Sequence, residues 1–267
     1  MIGAIVGDIV GSIYEFDNHR SKDFPLFGKD CFATDDSIMT IAIAKAVIES
    51  APEFTDLGGN AVKYMQEIGR PYPNCGYGGR FLSWMYSDNP QPYNSFGNGA
   101  AMRVSPVAYA ACTIEHVKEL SRAVTEVTHN HPEGIKGAEA TAVATWMALN
   151  GAHKSDIRKM IVREYYQLNF TLDEIRPSYR FNETCQNTVP QALQAFFEST
   201  GFEDAIRNAI SVGGDSDTLA AITGSVAGAY YGVPEHITTQ AEFYLDSSLL
   251  SIYEEFDRIY GHKIPRA

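Results

Sequence analysis

Two short acidic segments hold the residues best suited to chemistry. One is Thr34-Asp35-Asp36-Ser37 and the other is Gly213-Gly214-Asp215-Ser216-Asp217-Thr218. Carboxylates and hydroxyls are oxygen donors, the ligands that hard divalent ions such as Mg2+ and Mn2+ prefer. Each segment precedes a run of apolar and small residues that reads as a helix, so its charge also suits the positive end of a helix dipole. Capping accounts for one Asp at each place. It does not account for the two glycines before Asp215, nor for the recurrence of Asp with Thr at both segments. If the two helix starts converge, Asp35, Asp36, Asp215 and Asp217 would repel and raise one another's pKa values. Two divalent cations would cancel the four charges and leave Lewis-acid capacity.

A third segment, Ser95-Phe96-Gly97-Asn98-Gly99-Ala100-Ala101-Met102-Arg103, brings small residues to an expected helix start. Backbone N–H groups bared in this way suit phosphate oxygens, which need donors rather than bulk. The same composition suits a tight turn before a core helix, and Arg103 equally suits an internal ion pair. Tyr77, Phe81, Tyr93 and Phe96 are aromatic candidates for core packing or for stacking on a ligand.

These segments need helices to hold them. Gly3, Gly7 and Gly11 recur every four residues, as do Ala220, Gly224, Gly228 and Gly232. Four residues span one face of an α-helix, so each segment carries a stripe without bulk. An interior Gly costs about 0.8–1 kcal/mol relative to Ala, and close backbone approach is the usual compensation. The first helix and one from about Thr218 to Tyr231 are therefore expected deep in the core, with each other as candidate partners. Further helices are expected after Asp36, from Pro132 to about Asn150 with Gly151 as its stop, and from Ser155 to about Tyr166. Thr171 and Thr188 both have capping-box spacing. Two more helices are expected beyond Pro234, the last starting at Ser247 or Ser248. Alternating apolar residues are nearly absent, which leaves few or no strands. The stretch Gly69 to Gly99 reads as the longest irregular segment and as the place where the leaving-group side of a site would be shaped. The expected fold is all-α, a single compact multi-helix domain over residues 1–267.

Composition narrows the function. Of 267 residues, 45% are apolar and 20% charged, enough for a sizeable core. A formal net charge of −12 leaves no basic footprint for nucleic acid. Four Cys without a C-x-x-C pair argue against a thiolate zinc site and a disulfide framework, and fit buried thiols in a reducing compartment. The apolar start Met1 to Gly7 lacks a basic flank and is broken by Asp8, unlike a signal peptide. The apolar run Leu219 to Val233 is too short for a bilayer. A soluble, cytoplasmic protein is expected.

In order along the chain, Gly7-Asp8-Ile9-Val10-Gly11-Ser12-Ile13-Tyr14-Glu15, Thr34-Asp35-Asp36-Ser37, Gly97-Asn98-Gly99-Ala100-Ala101-Met102-Arg103, Thr128-His129 and Gly213-Gly214-Asp215-Ser216-Asp217-Thr218 resemble the motifs of the ADP-ribosylglycohydrolase family. The resemblance implies an all-α fold around two Mg2+ or Mn2+ ions. It implies that Thr34, Asp35 and Asp36 bind one ion, that Asp215 and Thr218 bind the other, and that Asp217 is shared. Glu15 is similar to the acidic residue that gates or assists the reaction in serine-type members. Gly97, Asn98 and Gly99 look like the loop that contacts the ADP-ribose phosphates and ribose, and His129 looks like the family's ligand-binding His. Ser37 stands where many members have Thr and keeps the hydroxyl. The implied activity is metal-dependent hydrolysis of the glycosidic bond at the distal ribose of an ADP-ribosylated protein or small ADP-ribosyl conjugate, with Glu15, Asp36 and Asp217 as catalytic candidates. Two alternatives are a catalytically silent ADP-ribose-binding member and a two-metal phosphohydrolase acting on a nucleotide or sugar phosphate. The full carboxylate set argues against the silent member.

Overall fold

Residues 1–261 are described by this computed structural model, and residues 262–267 of the expected domain lie outside the described residues. Fifteen helices account for its regular structure: α1 (Ile2–Gly11), α2 (Asp35–Ser50), α3 (Leu57–Gly69), α4 (Gly79–Met85), α5 (Gly99–Met102), α6 (Pro106–Ala110), α7 (Ile114–Thr125), α8 (Pro132–Leu149), α9 (Lys154–Glu164), α10 (Leu172–Ile175), α11 (Cys185–Glu198), α12 (Phe202–Ile210), α13 (Ser216–Tyr231), α14 (Glu235–Glu242) and α15 (Ser247–Tyr260). Among the described residues there is no strand beyond one isolated bridge between Gly97 and Thr184. The all-α expectation holds, and one hydrophobic core runs from α1 to α15. No described helix is long and apolar enough to cross a membrane.

The glycine stripes form the axis. A Cβ on Gly3 would lie 2.1 Å from the Gly224 carbonyl oxygen, and one on Gly7 would lie 2.0 Å from that of Ala220. Helices α1 and α13 thus meet backbone to backbone, as the spacing suggests, and every residue of α1 is buried. The same contact fixes the site. A Cβ on Gly11 would stand 2.4 Å from Asp217 Cα, and the Ser216 hydroxyl donates to Gly11 O at 3.2 Å. The end of α1 is therefore locked to the start of α13.

Most expected helix starts are found. The Thr34 hydroxyl caps α2 by accepting from Asp36 N–H, α8 opens on Pro132, and Thr171 with Glu174 forms a full capping box on α10. Asp246 caps α15, and α9 starts one residue before Ser155. Thr188 is not a cap. Helix α11 begins three residues earlier, with Cys185 N–H donating to Phe96 O at 2.9 Å and Pro190 inside the helix. That tertiary bond sets the start, and local spacing does not report it. Helix α4 interrupts the stretch expected to be irregular, and the amphipathic helices α3, α7 and α12 are additions to the expected set. Cys31 and Cys185 are buried free thiols, whereas Cys75 is half-buried and Cys112 is exposed.

Candidate active site

The two acidic corners, remote in the chain, face each other across the axis. Asp36, Asp215 and Asp217 are 3%, 5% and 4% exposed, and Asp8, on the α1 face, is fully buried. Single oxygens of Asp8, Asp36 and Asp217 lie within 4.8 Å of one another, as do oxygens of Glu15, Asp215 and Asp217, so Asp217 belongs to both groups. The Thr218 hydroxyl donates to Asp36 Oδ2 at 3.3 Å, which ties the corners together directly.

The loops that present these groups have local causes. Gly213 and Gly214 adopt φ of +74° and +76°, where side chains are strained, and a Cβ on either would meet Asn18, Arg20 or Tyr179 at about 3 Å or less. The two glycines before Asp215 therefore make the turn that aims it. Arg20 braces this turn from outside, donating to Val212 O at 2.6 Å and to the carbonyls of Arg176 and Tyr179. Asp8 accepts from Thr34 N–H at 3.0 Å, the Thr34 hydroxyl at 2.6 Å and Ser37 N–H at 3.0 Å, and so pins the start of α2 onto α1.

Charge is concentrated here without a counter-ion. None of the ion pairs among the described residues includes Asp8, Glu15, Asp35, Asp36, Asp215 or Asp217. Burial pushes the Asp8 carboxyl up to about 6 against the hydrogen bonds from Ser37 and Thr34. Burial, then the charges of Asp215, Asp8 and Glu183, push Glu15 up to about 7. Asp35, Asp36 and Asp217 rise well above the usual carboxylate range, by burial first and by neighbouring carboxylates second. Asp215 is also raised, chiefly by burial. Asp36 Oδ1 is buried with no hydrogen-bond partner among the described residues. An orphaned carboxylate oxygen inside a cluster of acids is costly unless a cation compensates it, and an all-oxygen donor set fits a hard divalent ion. The acidic clusters are compatible with metal binding.

A cavity of about 270 Å³ opens above these carboxylates. It brings together Glu15, Asp35, Asp36, Asp215, Asp217 and Thr218 with Gly97, Asn98, Gly99 and His129. Asn98 is fixed at the start of α5 by its side-chain amide, which donates to Asp215 Oδ2 at 2.6 Å and to Thr188 Oγ1 at 3.2 Å. His129 Nε2 would stand 3.5 Å from a Cβ on Gly97 and 3.6 Å from one on Gly99, so both glycines leave the ring open to the cavity. Thr34 is engaged with Asp8 and with its own helix. Among the described residues Arg103 makes no ion pair. It is 1% exposed, lies over the Phe81 ring at 5.3 Å and donates to Thr128.

The profile of one family, ADP-ribosylglycohydrolase, matches residues 1–261. The chain belongs to the ADP-ribosylglycohydrolase family. Human ADP-ribosylhydrolase ARH3 is 26% identical over 94% of this chain and 90% of its own. ADP-ribosylarginine hydrolase Tri1 of Pseudomonas putida (strain GB-1) is 27% identical over 87% of this chain and 70% of its own. A solved structure described as an ADP-ribosylglycohydrolase-related protein complex superimposes with a TM-score of 0.69 at 22% identity, covering 97% of both chains. That likeness establishes the fold of this family member.

Asp8 stands in the first of the quoted motifs, but sequence reasoning assigned it no role. It read the residue as an interruption of an apolar run, although a lone carboxylate in a wholly apolar, glycine-striped helix is itself a signal of a buried polar partner. It also passed over Arg80, Phe181 and Glu183, which line the cavity beside the expected residues. No local pattern marks them, because loops and the short helix α4 deliver them.

Proposed function

We propose that this glycohydrolase releases ADP-ribose from ADP-ribosylated protein side chains or a related ADP-ribosyl conjugate by cutting the glycosidic bond at the distal ribose. The observation that carries the reading is the set of buried, unpaired carboxylates under one cavity in a chain of this family. In this reading Asp35, Asp36 and Thr34 hold one divalent cation, Asp215 and Thr218 hold a second, and Asp217 is shared. Thr34 Oγ1 donates to Asp8 and accepts from Asp36 N–H, which leaves one lone pair free for a ligand role. When bound, Mg2+ or Mn2+ supplies a grip on the ribose hydroxyls and a more acidic water.

The chain's own residues do the rest. Glu15 stands at the cavity, where its carboxyl is suited to give a proton to the leaving group and recover one. Asp36 and Asp217 keep negative charge close to the sugar, where positive charge grows on the ring as the bond lengthens. Gly97 and Gly99 let the substrate approach the backbone, Asn98 holds Asp215 in place, and His129 contacts the ligand. These groups supply positioning more than chemistry.

The test is incubation with ADP-ribosylated arginine and serine peptides, with Mg2+, with Mn2+ and with EDTA. Metal-dependent release of ADP-ribose is the expected result. Inorganic phosphate as product would point to a phosphohydrolase, and tight ADP-ribose binding without turnover to a silent member. No ADP-ribose from any conjugate under either metal would falsify the reaction.

A further inference from the structure

Behind the glycine loop, three buried side chains form a line: Arg103, Thr128 and His129 are 1%, 0% and 4% exposed. The guanidinium Nη2 of Arg103 donates to Thr128 Oγ1 at 2.6 Å, and Thr128 Oγ1 lies 2.7 Å from His129 Nδ1. A guanidinium has no acceptor, so Thr128 must accept from it. The single hydroxyl proton then has two places to go. The Thr125 carbonyl is 3.4 Å away, at the limit of a hydrogen bond, and His129 Nδ1 is 2.7 Å away, at an ideal length. The adjacent cation polarises the hydroxyl and strengthens it as a donor.

We propose that Arg103 and Thr128 are positioning residues that hold His129 as the neutral tautomer protonated on Nε2, so that the ring presents a fixed N–H donor to the cavity. With Nδ1 accepting from Thr128, the imidazole proton must sit on Nε2. Among the described residues Nε2 has no protein hydrogen-bond partner, and it points toward the open side of Gly97 and Gly99. The ring is also fixed in place, since His129 N–H donates to Thr125 O at 2.8 Å and the ring lies 5.9 Å from that of Tyr93. Burial, then Arg103 and Arg80, disfavour the imidazolium, so the donor stays neutral. The acceptor it suits is an oxygen of the ligand. Arg103 thus acts on the ligand through Thr128 and His129.

The identity of the acceptor rests on the proposed function, whereas the tautomer does not. The experiment is nitrogen-15 NMR of histidine-labelled, ligand-free protein, with the His129 signals assigned by their loss in His129→Gln. The expected result is a protonated Nε2 and an unprotonated Nδ1 near neutral pH. A protonated Nδ1, or an imidazolium, overturns the proposal. Thr128→Val should lose the single tautomer and weaken ADP-ribose binding about ten-fold, while Thr128→Ser, which keeps the hydroxyl, should restore both. Wild-type tautomer and wild-type affinity in Thr128→Val would also overturn it. If no variant binds ADP-ribose, the functional reading fails and the NMR result on the wild-type protein still decides the inference.

Discussion

The floor and the far wall of the cavity are held by opposite means. At the floor, α1 and α13 touch through bare backbone, and a Cβ added at Gly7 would lie 2.0 Å from a carbonyl oxygen. On the wall, side chains do the holding: Arg80 over the Tyr93 ring, Arg103 over Phe81 and onto Thr128, and Asn98 reaching across to Asp215. Asp8 and Asp217 therefore sit on the pair of helices least able to separate, and Asp8 pins the start of α2, with Asp35 and Asp36, onto that pair. The wall, built from adjustable contacts, is where binding can be tuned without disturbing the floor.

Substitutions at glycine break this contrast most severely. Gly7→Val should cost about 3 kcal/mol or more, or abolish folding, because neither backbone can yield. Gly79→Ala on the wall, with nothing within 4 Å of the added carbon, should raise stability by about 0.5 kcal/mol. Chemical denaturation of the two variants measures the difference. Next in size, Asp217→Asn should lower hydrolysis at least about a hundred-fold with the helical circular dichroism unchanged. The same variant should melt higher than the wild-type protein in EDTA, since one charge leaves a buried acidic cluster. Wild-type activity in it would remove Asp217 from the proposed ligand set.

A pH series sharpens the electrostatic half of the comparison. In the folded, metal-free chain Asp8 keeps its proton to about 6 instead of 3.8, and Glu15 to about 7 instead of 4.5. Between those limits the folded state holds protons that the unfolded chain has released, so this contribution to stability falls as pH rises. Thermal melts in EDTA should drop from about pH 5 to about pH 7 at the expense of these groups, and saturating Mg2+ should reduce or reverse the slope. A flat profile in EDTA would mean that the acids are not crowded. An effect on stability alone is expected far from the cavity. Lys154 donates to the carbonyls of Phe196 and Ser199 at 2.8 and 2.6 Å, at the end of α11. Lys154→Met should cost about 1 kcal/mol with hydrolysis unchanged.

Much of the floor was legible in the sequence because it rests on local periodicity. Glycines four apart mark a bare helix face, and Asp beside Thr marks a helix start, whatever the rest of the chain does. The wall was less legible because it depends on contacts between distant segments. Thr188 has the spacing of a cap, yet the Phe96 carbonyl sets the helix start at Cys185, and the Thr188 hydroxyl holds Asn98 instead. Helix α4 is hidden among the glycines and prolines of its flanks. Asp8 was left without a role for the same reason: its partners, Thr34 and Ser37, lie a loop away, and only the packed helices bring them near.

The central claim is that acids from both ends of the chain hold divalent ions beneath a nucleotide sugar. Diffraction from crystals grown with Mn2+ and ADP-ribose tests it most directly, through anomalous scattering at the manganese edge. Two peaks among Asp36, Asp215 and Asp217, with the distal ribose above them, are the predicted result. Anomalous density elsewhere, or none at these carboxylates with ADP-ribose bound, would contradict the account.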